Sequence, residues 1–405
     1  VSVLAGCGRS DSVGPQATSD AVDESLATGE VQIWAFNAEG EALASLAEKF
    51  EEANPDVSVV VTPVPNDELP RKVEAAIAAG NVPDIVQPST ALPSYVATGG
   101  IAPVPAGLVD FDDYFPSAVE SVTVDEVVYG VPWYVNVQTF FYNADAAAAA
   151  GVEPPKTWDE LAAFGVSLNE EGVEQGLWTA SDPANSWQAV LTYIYQAGGQ
   201  VLTDDEFTLD TPEVVEALEF YASLYESGAS NATYQPELGA AIGEFASGSL
   251  GSLTSGSFLY DYLVDATGSA ESVGVTALPA GPESGASYLG GSGLSVFSDA
   301  PNADAAWKFI RFLSEPENQQ EFYDAGGVLP ATIAAWESGK FADEPVFAAF
   351  REQLDTSIAV PNITTWTQVR TVISAVAEQV ARGALSPTDA AAQLQAEAEA
   401  IGTGD

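Results

Sequence analysis

From residue 31 onward the apolar positions follow two alternating spacings. Val31-Gln32-Ile33-Trp34-Ala35-Phe36 reads as a strand, and Leu43, Leu46, Ala47 and Phe50 then recur at helical spacing. Asn54-Pro55-Asp56 stops that helix, and the β-branched run from Val57 to Val61 reads as a short buried strand. Leu69, Val73, Ala76 and Ile77 mark a second helix closed by Gly80, and Pro83-Asp84-Ile85-Val86 begins a third strand. This β-α-β-α-β order predicts an α/β fold with a doubly wound parallel sheet. Ligands of such sheets bind beyond the carboxyl ends of the strands, which places Phe36, Asn37, Glu39, Gln87, Ser89 and Thr90 near a crevice.

A second apolar and aromatic stretch runs from Tyr129 to Asn143. Lys156-Thr157-Trp158-Asp159-Glu160 opens a helix, with Thr157 as N-cap and Glu160 completing a capping box. Residues 211–228 and 237–248 read as helical, 273–279 as strand, and 303–313 as a helix with Ala306, Phe309, Ile310 and Leu313 on one face. The last 40 residues are helical, and no repeat of fixed period is present.

The chain has 405 residues, 46% of them hydrophobic and 10% aromatic, ample for one large or two medium domains. No apolar run of about 18 residues is present to span a membrane as a helix. Fifty-nine acidic residues against 11 basic give a net charge of −48, spread along the whole chain. Too few cations remain to neutralise phosphates, so nucleic acid is not an expected partner. A dense carboxylate shell is the signature of salt or acid adaptation. Histidine is absent and cysteine occurs once, which removes Ser-His-Asp and Cys-His nucleophile systems, disulfides and thiolate zinc sites. No cofactor or metal is expected. A pair of carboxylates doing glycosidase chemistry remains compatible with this composition.

The single cysteine, Cys7, ends Val1-Ser2-Val3-Leu4-Ala5-Gly6-Cys7, which reads as the end of a signal-peptide apolar region and a lipobox whose thiol takes a diacylglycerol. Residues 8–29, rich in Ser, Asp, Gly, Ala and Thr, read as a flexible tether.

The segments 31–36, Pro83-Asp84-Ile85, Tyr129-Gly130-Val131-Pro132-Trp133, Pro155-Lys156-Thr157-Trp158, Gly290-Gly291-Ser292, Ala305-Ala306-Trp307-Lys308-Phe309-Ile310 and Gly383 with Ser386-Pro387 stand in one collinear order. Over nearly all of residues 30–400 this order resembles extracellular solute-binding protein family 1 of ABC importers, the group that includes maltose-binding protein. The resemblance implies a two-lobed, type II periplasmic-binding-protein fold, each lobe a mainly parallel sheet flanked by helices. It divides the chain into a tether (1–29), an N-lobe (30–138 and 273–326) and a C-lobe (139–272 and 327–405), with hinge crossings at the junctions. It further implies a monomer on the extracellular face of the membrane or in the periplasm, hinge closure on a sugar, and delivery to a permease without chemistry on the ligand.

A sugar offers flat C–H faces and a rim of hydroxyls, so the candidate site residues are aromatics in polar loops and nearby amides. Trp133 and Tyr134 follow Gly-Val-Pro, Trp187 follows Pro183-Ala184-Asn185-Ser186, Phe258 sits in a small-residue loop, and Trp366 follows Pro361-Asn362-Ile363-Thr364-Thr365. Trp158 and Trp307 read as core, whereas Trp34 can point either way from its strand. Glu39 either bonds a hydroxyl or caps the helix that follows. Gly290-Gly291-Ser292-Gly293 lacks the Walker lysine and is a tight turn or, by resemblance, a cleft wall lending backbone N–H groups. By the same resemblance, Trp187, Phe258 and Trp366 match cleft aromatics of the maltose-binding branch. Asn136 and Gln87-Pro88-Ser89-Thr90 stand where that branch carries acidic and Trp residues, which argues against simple maltodextrin specificity. Rival readings are the same fold binding a polyamine or an organophosphate, for which Arg370 near Trp366 is the cation to watch, a carboxylate glycosidase, and a surface adhesin or sensor.

Overall fold

The computed structural model describes residues 22–404. Cys7 and most of the expected tether lie outside the described residues. Strand β1 (Thr28–Phe36) buries Val31, Ile33 and Ala35 and pairs in parallel with β2 (Asp56–Val64) from Thr28↔Asp56 to Phe36↔Val64. On its other side lies β3 (Ile85–Val86), also parallel, with Ile33↔Ile85 and Trp34↔Val86. Helices Asn37–Ala42, Ala44–Ala53 and Leu69–Ala79 make the crossovers. The expected stops hold for physical reasons. Asn54 ends its helix and turns its side chain back to donate to the Phe50 carbonyl, while Gly80 ends the next at φ 63°, a left-handed cap that costs glycine little.

The strand β4 (Val131–Asn143) is thirteen residues long and changes partners midway along one continuous nine-stranded sheet. Its far half pairs antiparallel with β5 (Ser252–Gly256) and β6 (Val273–Thr276). Its near half pairs antiparallel with β7 (Tyr288–Val296), whose end, Ser295–Val296, joins β3. Two short strands complete the crossing, with β8 (Leu329–Pro330) against β4 and β9 (Ile358–Ala359) in parallel with β7. The sheet is thus parallel about β1 and mainly antiparallel about β4, with further parallel contacts as single bridges at Thr157↔Ala280, Gln175↔Leu250 and Trp178↔Leu253. β6 pairs with the far half of β4, and β7 lies between the near half of β4 and β3.

Thr157 caps the helix Trp158–Glu170 by accepting the Glu160 N–H at 3.3 Å, and the Glu160 carboxylate reaches back to the Lys156 N–H at 2.7 Å. Trp158 stacks on Phe220 at 4.2 Å, and Trp307 is buried in the core that includes Val31 and Ile33 of β1 and Val131 of β4. Ahead of β1, residues 23–27 lie against the body. Lys308, 5% exposed, places its ammonium on Asp23 (2.8 Å), Ser25 (2.9 Å) and Asp304 (2.8 Å), Arg311 holds Glu24 at 3.0 Å, and the Ala27 N–H donates to Asn54.

Candidate binding cleft

Where β1 ends, Phe36 turns into a short helix that carries Glu39, and where β3 ends, Gln87 follows directly. Gln87 is 0% exposed and fully engaged. Its backbone N–H donates to the Trp34 carbonyl at 3.0 Å, its Oε1 accepts the Phe36 N–H at 2.9 Å, and its Nε2 donates to the Tyr134 hydroxyl at 3.1 Å. That hydroxyl donates to Glu39 Oε1 at 2.8 Å. Burial, reinforced by the Glu39 charge, pushes the Tyr134 phenol well above its ordinary pKa, so it stays a proton donor. Glu39 therefore does not cap its helix through its side chain.

Two residues along β4, Asn136 faces Gly290 across the ladder and binds Ser257, the residue before Phe258. Gly291 stands at φ 110°, where a Cβ would sit 2.3 Å from the Tyr134 carbonyl, so only glycine lets β7 run this close to β4. Ser292 Oγ accepts the backbone N–H of Ser89 at 3.2 Å, with Ser89 itself at φ 47°.

Beside this cluster lies a cleft of about 920 Å³, which Ser89, Gly290 and Ser292 do not line. Glu39, Tyr134, Asn136, Phe258 and Gly291 line it, with Gln87 directly behind. Glu41, Asp261, Tyr262 and Val328 also line it and were not among the expected residues. For two of them a signal existed, because Asp261 and Tyr262 follow Phe258 at the i+3 and i+4 positions of a helical face. Tyr262 is 58% exposed, and Asp261 accepts the Tyr323 hydroxyl at 3.0 Å.

Trp187 and Trp366 form a separate pair, ring centroids 5.8 Å apart and planes at 88°, with Tyr288 5.1 Å from Trp187. The Arg370 guanidinium lies 5.6 Å from the centre of the Trp187 ring. Burial lowers its pKa, and no carboxylate among the described residues forms an ion pair with it. Trp366 is 1% exposed and its indole N–H has no partner among the described residues.

The remaining expected residues lie apart. Trp133, 2% exposed, stacks on Phe322 at 4.5 Å and belongs to the core instead of the cleft wall, because β4 points it towards the helix Pro316–Gly326. Trp34 is half-buried beneath Lys72, whose ammonium sits 3.9 Å above its ring, and Asn37 is exposed. A second cavity of about 860 Å³, lined by Tyr114, Thr123, Tyr195, Ile358 and Asn362 among others, contains none of the expected residues.

One curled sheet that changes partners along β4, with a polar and aromatic cleft beside it, is the architecture of a two-lobed solute-binding protein. The chain belongs to the bacterial extracellular solute-binding proteins, whose family profile matches residues 45–349. Among curated relatives, the sn-glycerol-3-phosphate-binding periplasmic protein UgpB of Salmonella typhimurium is 26% identical over 406 residues, covering 91% of each chain. Among solved structures, the sugar-binding protein MalE of Xanthomonas citri superposes with a TM-score of 0.85 at 28% identity, covering 92% of this chain and 97% of that one. The GacH receptor of Streptomyces glaucescens, solved unliganded and with acarbose, gives a TM-score of 0.79 at 26% identity, covering 92% and 98%.

Proposed function

We propose that this chain is the substrate-binding component of an ABC importer that captures a carbohydrate in the cleft beside β4 and β7 and hands it to a membrane permease. The observation that carries this reading is the joining of a polar relay, Gln87–Tyr134–Glu39, to the rings of Phe258 and Tyr262 in one cleft. Carboxylate and amide groups suit a rim of hydroxyls, and aromatic rings suit C–H faces. The MalE and GacH likenesses point the same way. Capture needs no covalent step. The solute docks on one lobe, and the other swings over it about the crossing strands. Cys7 is read as the lipidated residue that holds the body at the outer face of the membrane.

A thermal-shift screen against mono- and oligosaccharides, polyamines and glycerol phosphates tests this, since a ligand of the native state raises Tm by mass action. A shift with one sugar group, weakened in Phe258→Ala, is expected. A shift confined to charged solutes removes the carbohydrate assignment. One observation favours a second reading. Arg370 is a half-buried cation without a carboxylate, and UgpB is named for an anionic solute, so a glycerophosphate held at Arg370 is the alternative.

A further inference from the structure

The hydrogen bonds behind the cleft run in one direction. Gln87 cannot turn its amide over, because Oε1 already accepts the part-buried Phe36 N–H and a flip would leave that N–H facing an amide NH₂. Its Nε2 is therefore aimed at the Tyr134 hydroxyl, whose single proton must go to Glu39. The relay ends on a carboxylate that no other group of the described residues bonds, in a cleft that Glu39 lines. An ionised carboxylate only accepts hydrogen bonds. Glu41 and Asp261 line the same cleft, and no lysine or arginine among the described residues does.

We infer that Glu39 is the specificity-determining residue of this cleft, with Gln87 and Tyr134 as its positioning residues, and that the part of the ligand reaching it presents hydroxyl or ammonium donors, never a phosphate or carboxylate. The inference rests on the reading of this cleft as the ligand site and adds the polarity of the bound molecule. A hydroxyl meeting Glu39 makes a charge-assisted hydrogen bond, whereas an anion meets a like charge in a partly desolvated space. A ligand that carries a phosphate must then turn that end away from Glu39.

The net charge of −48 also disfavours anions, but from a distance. Salt separates the two effects, because at about 1 M the screening length falls to roughly 3 Å and only contact selectivity survives. Binding of maltotriose, acarbose, glucose 6-phosphate and glycerol 3-phosphate is measured calorimetrically at 1 M NaCl for wild type, Glu39→Gln and Tyr134→Phe, with circular dichroism as the check on folding. The neutral and amino compounds are expected to bind wild type about 100-fold or more tightly than the phosphates. Glu39→Gln, close in shape, should weaken them about tenfold and narrow the gap to the phosphates, and Tyr134→Phe should narrow it in the same sense. A role confined to folding would lower all affinities together and leave the ratio unmoved, which overturns the inference. A sugar bound with Glu39→Gln unchanged, or a phosphate preferred by wild type and weakened by no Glu39 change, also overturns it and leaves the solute-binding reading standing. Silence across all four compounds overturns both.

Discussion

Asn136 and Ser257 are tied twice, the Asn136 carboxamide oxygen accepting the Ser257 backbone N–H at 3.0 Å and its hydroxyl at 2.9 Å. This double contact fastens the loop that presents Phe258 to the middle of the crossing strand. Asn136→Ala removes both acceptor bonds from a half-buried place. A loss of about 1–2 kcal/mol is expected in urea unfolding, together with weaker ligand binding as Phe258 loses its register. Unchanged affinity in a stably folded variant would place Phe258 outside the binding surface.

Gly291→Ala tests the close passage of β7 over β4. Its φ of 110° and the 2.3 Å approach of an added methyl to the Tyr134 carbonyl leave no relaxed position for a side chain. Differential scanning calorimetry should show Tm falling by several degrees, as a strain of about 1–3 kcal/mol implies. Gly290→Ala, at an ordinary φ with 3.5 Å of clearance, should cost much less.

The clasp of Lys308 on Asp23 carries a pH signature. Its hydrogen bond to Lys308 holds the Asp23 carboxyl far below its ordinary 3.8, and Lys308, despite burial, is raised above 10.5 by hydrogen bonds to Asp23 and Asp304. A depressed carboxylate contributes stability that is complete above its unfolded value and fades as pH falls towards the folded one. The raised ammonium contributes below 10.5 and fades as pH rises beyond it. The Tm difference between wild type and Asp23→Asn should therefore be flat from about pH 5 to pH 9 and shrink below about pH 4. Hydrogen exchange of residues 23–30 should quicken in the variant, and a difference that grows in acid would contradict the contact.

Net charge makes a broader prediction. With −48 charges and few cations to offset them, self-repulsion opposes the compact state and salt relieves it. Thermal unfolding in NaCl from about 0.02 to 1 M should show Tm rising steeply and then levelling, and a flat profile would mean that the carboxylates are too well spaced to matter.

Trp366→Ala is a poor probe of binding. With its indole 1% exposed and packed against Trp187, truncation should cost about 3–5 kcal/mol of stability whether or not a ligand is present. Phe258→Ala, at a half-buried ring on the cleft wall, should lower affinity with a much smaller change in Tm.

The elements were largely legible because their signals are local. The spacing around Leu46 and Phe50, Gly80 as a stop and Thr157 as a cap each depend on neighbours a few residues away. The strand ends that bring Glu39 and Gln87 to a crevice follow from β-α-β order alone. What the sequence hid depends on distant partners. Trp133 looks like a loop aromatic until Phe322 is folded against it, and Trp366 until Trp187 is. The relay from Gln87 through Tyr134 to Glu39 joins three separate segments, and no periodicity announces it. The change of partners along β4 was also hidden, because a strand buried along nearly its whole length does not say where its partners change.

The clasp ahead of β1 has a practical side. β1 is nine residues long, so Thr28 enters the sheet about 26 Å from Phe36 at the cleft end. With residues 23–27 stitched down ahead of Thr28, a bead, electrode or fluorescent partner coupled at this segment is attached at the end of β1 away from Phe36 and the cleft. A sensor built that way keeps its mouth open to solution, and the crossing strands remain free to report each capture as a change in shape.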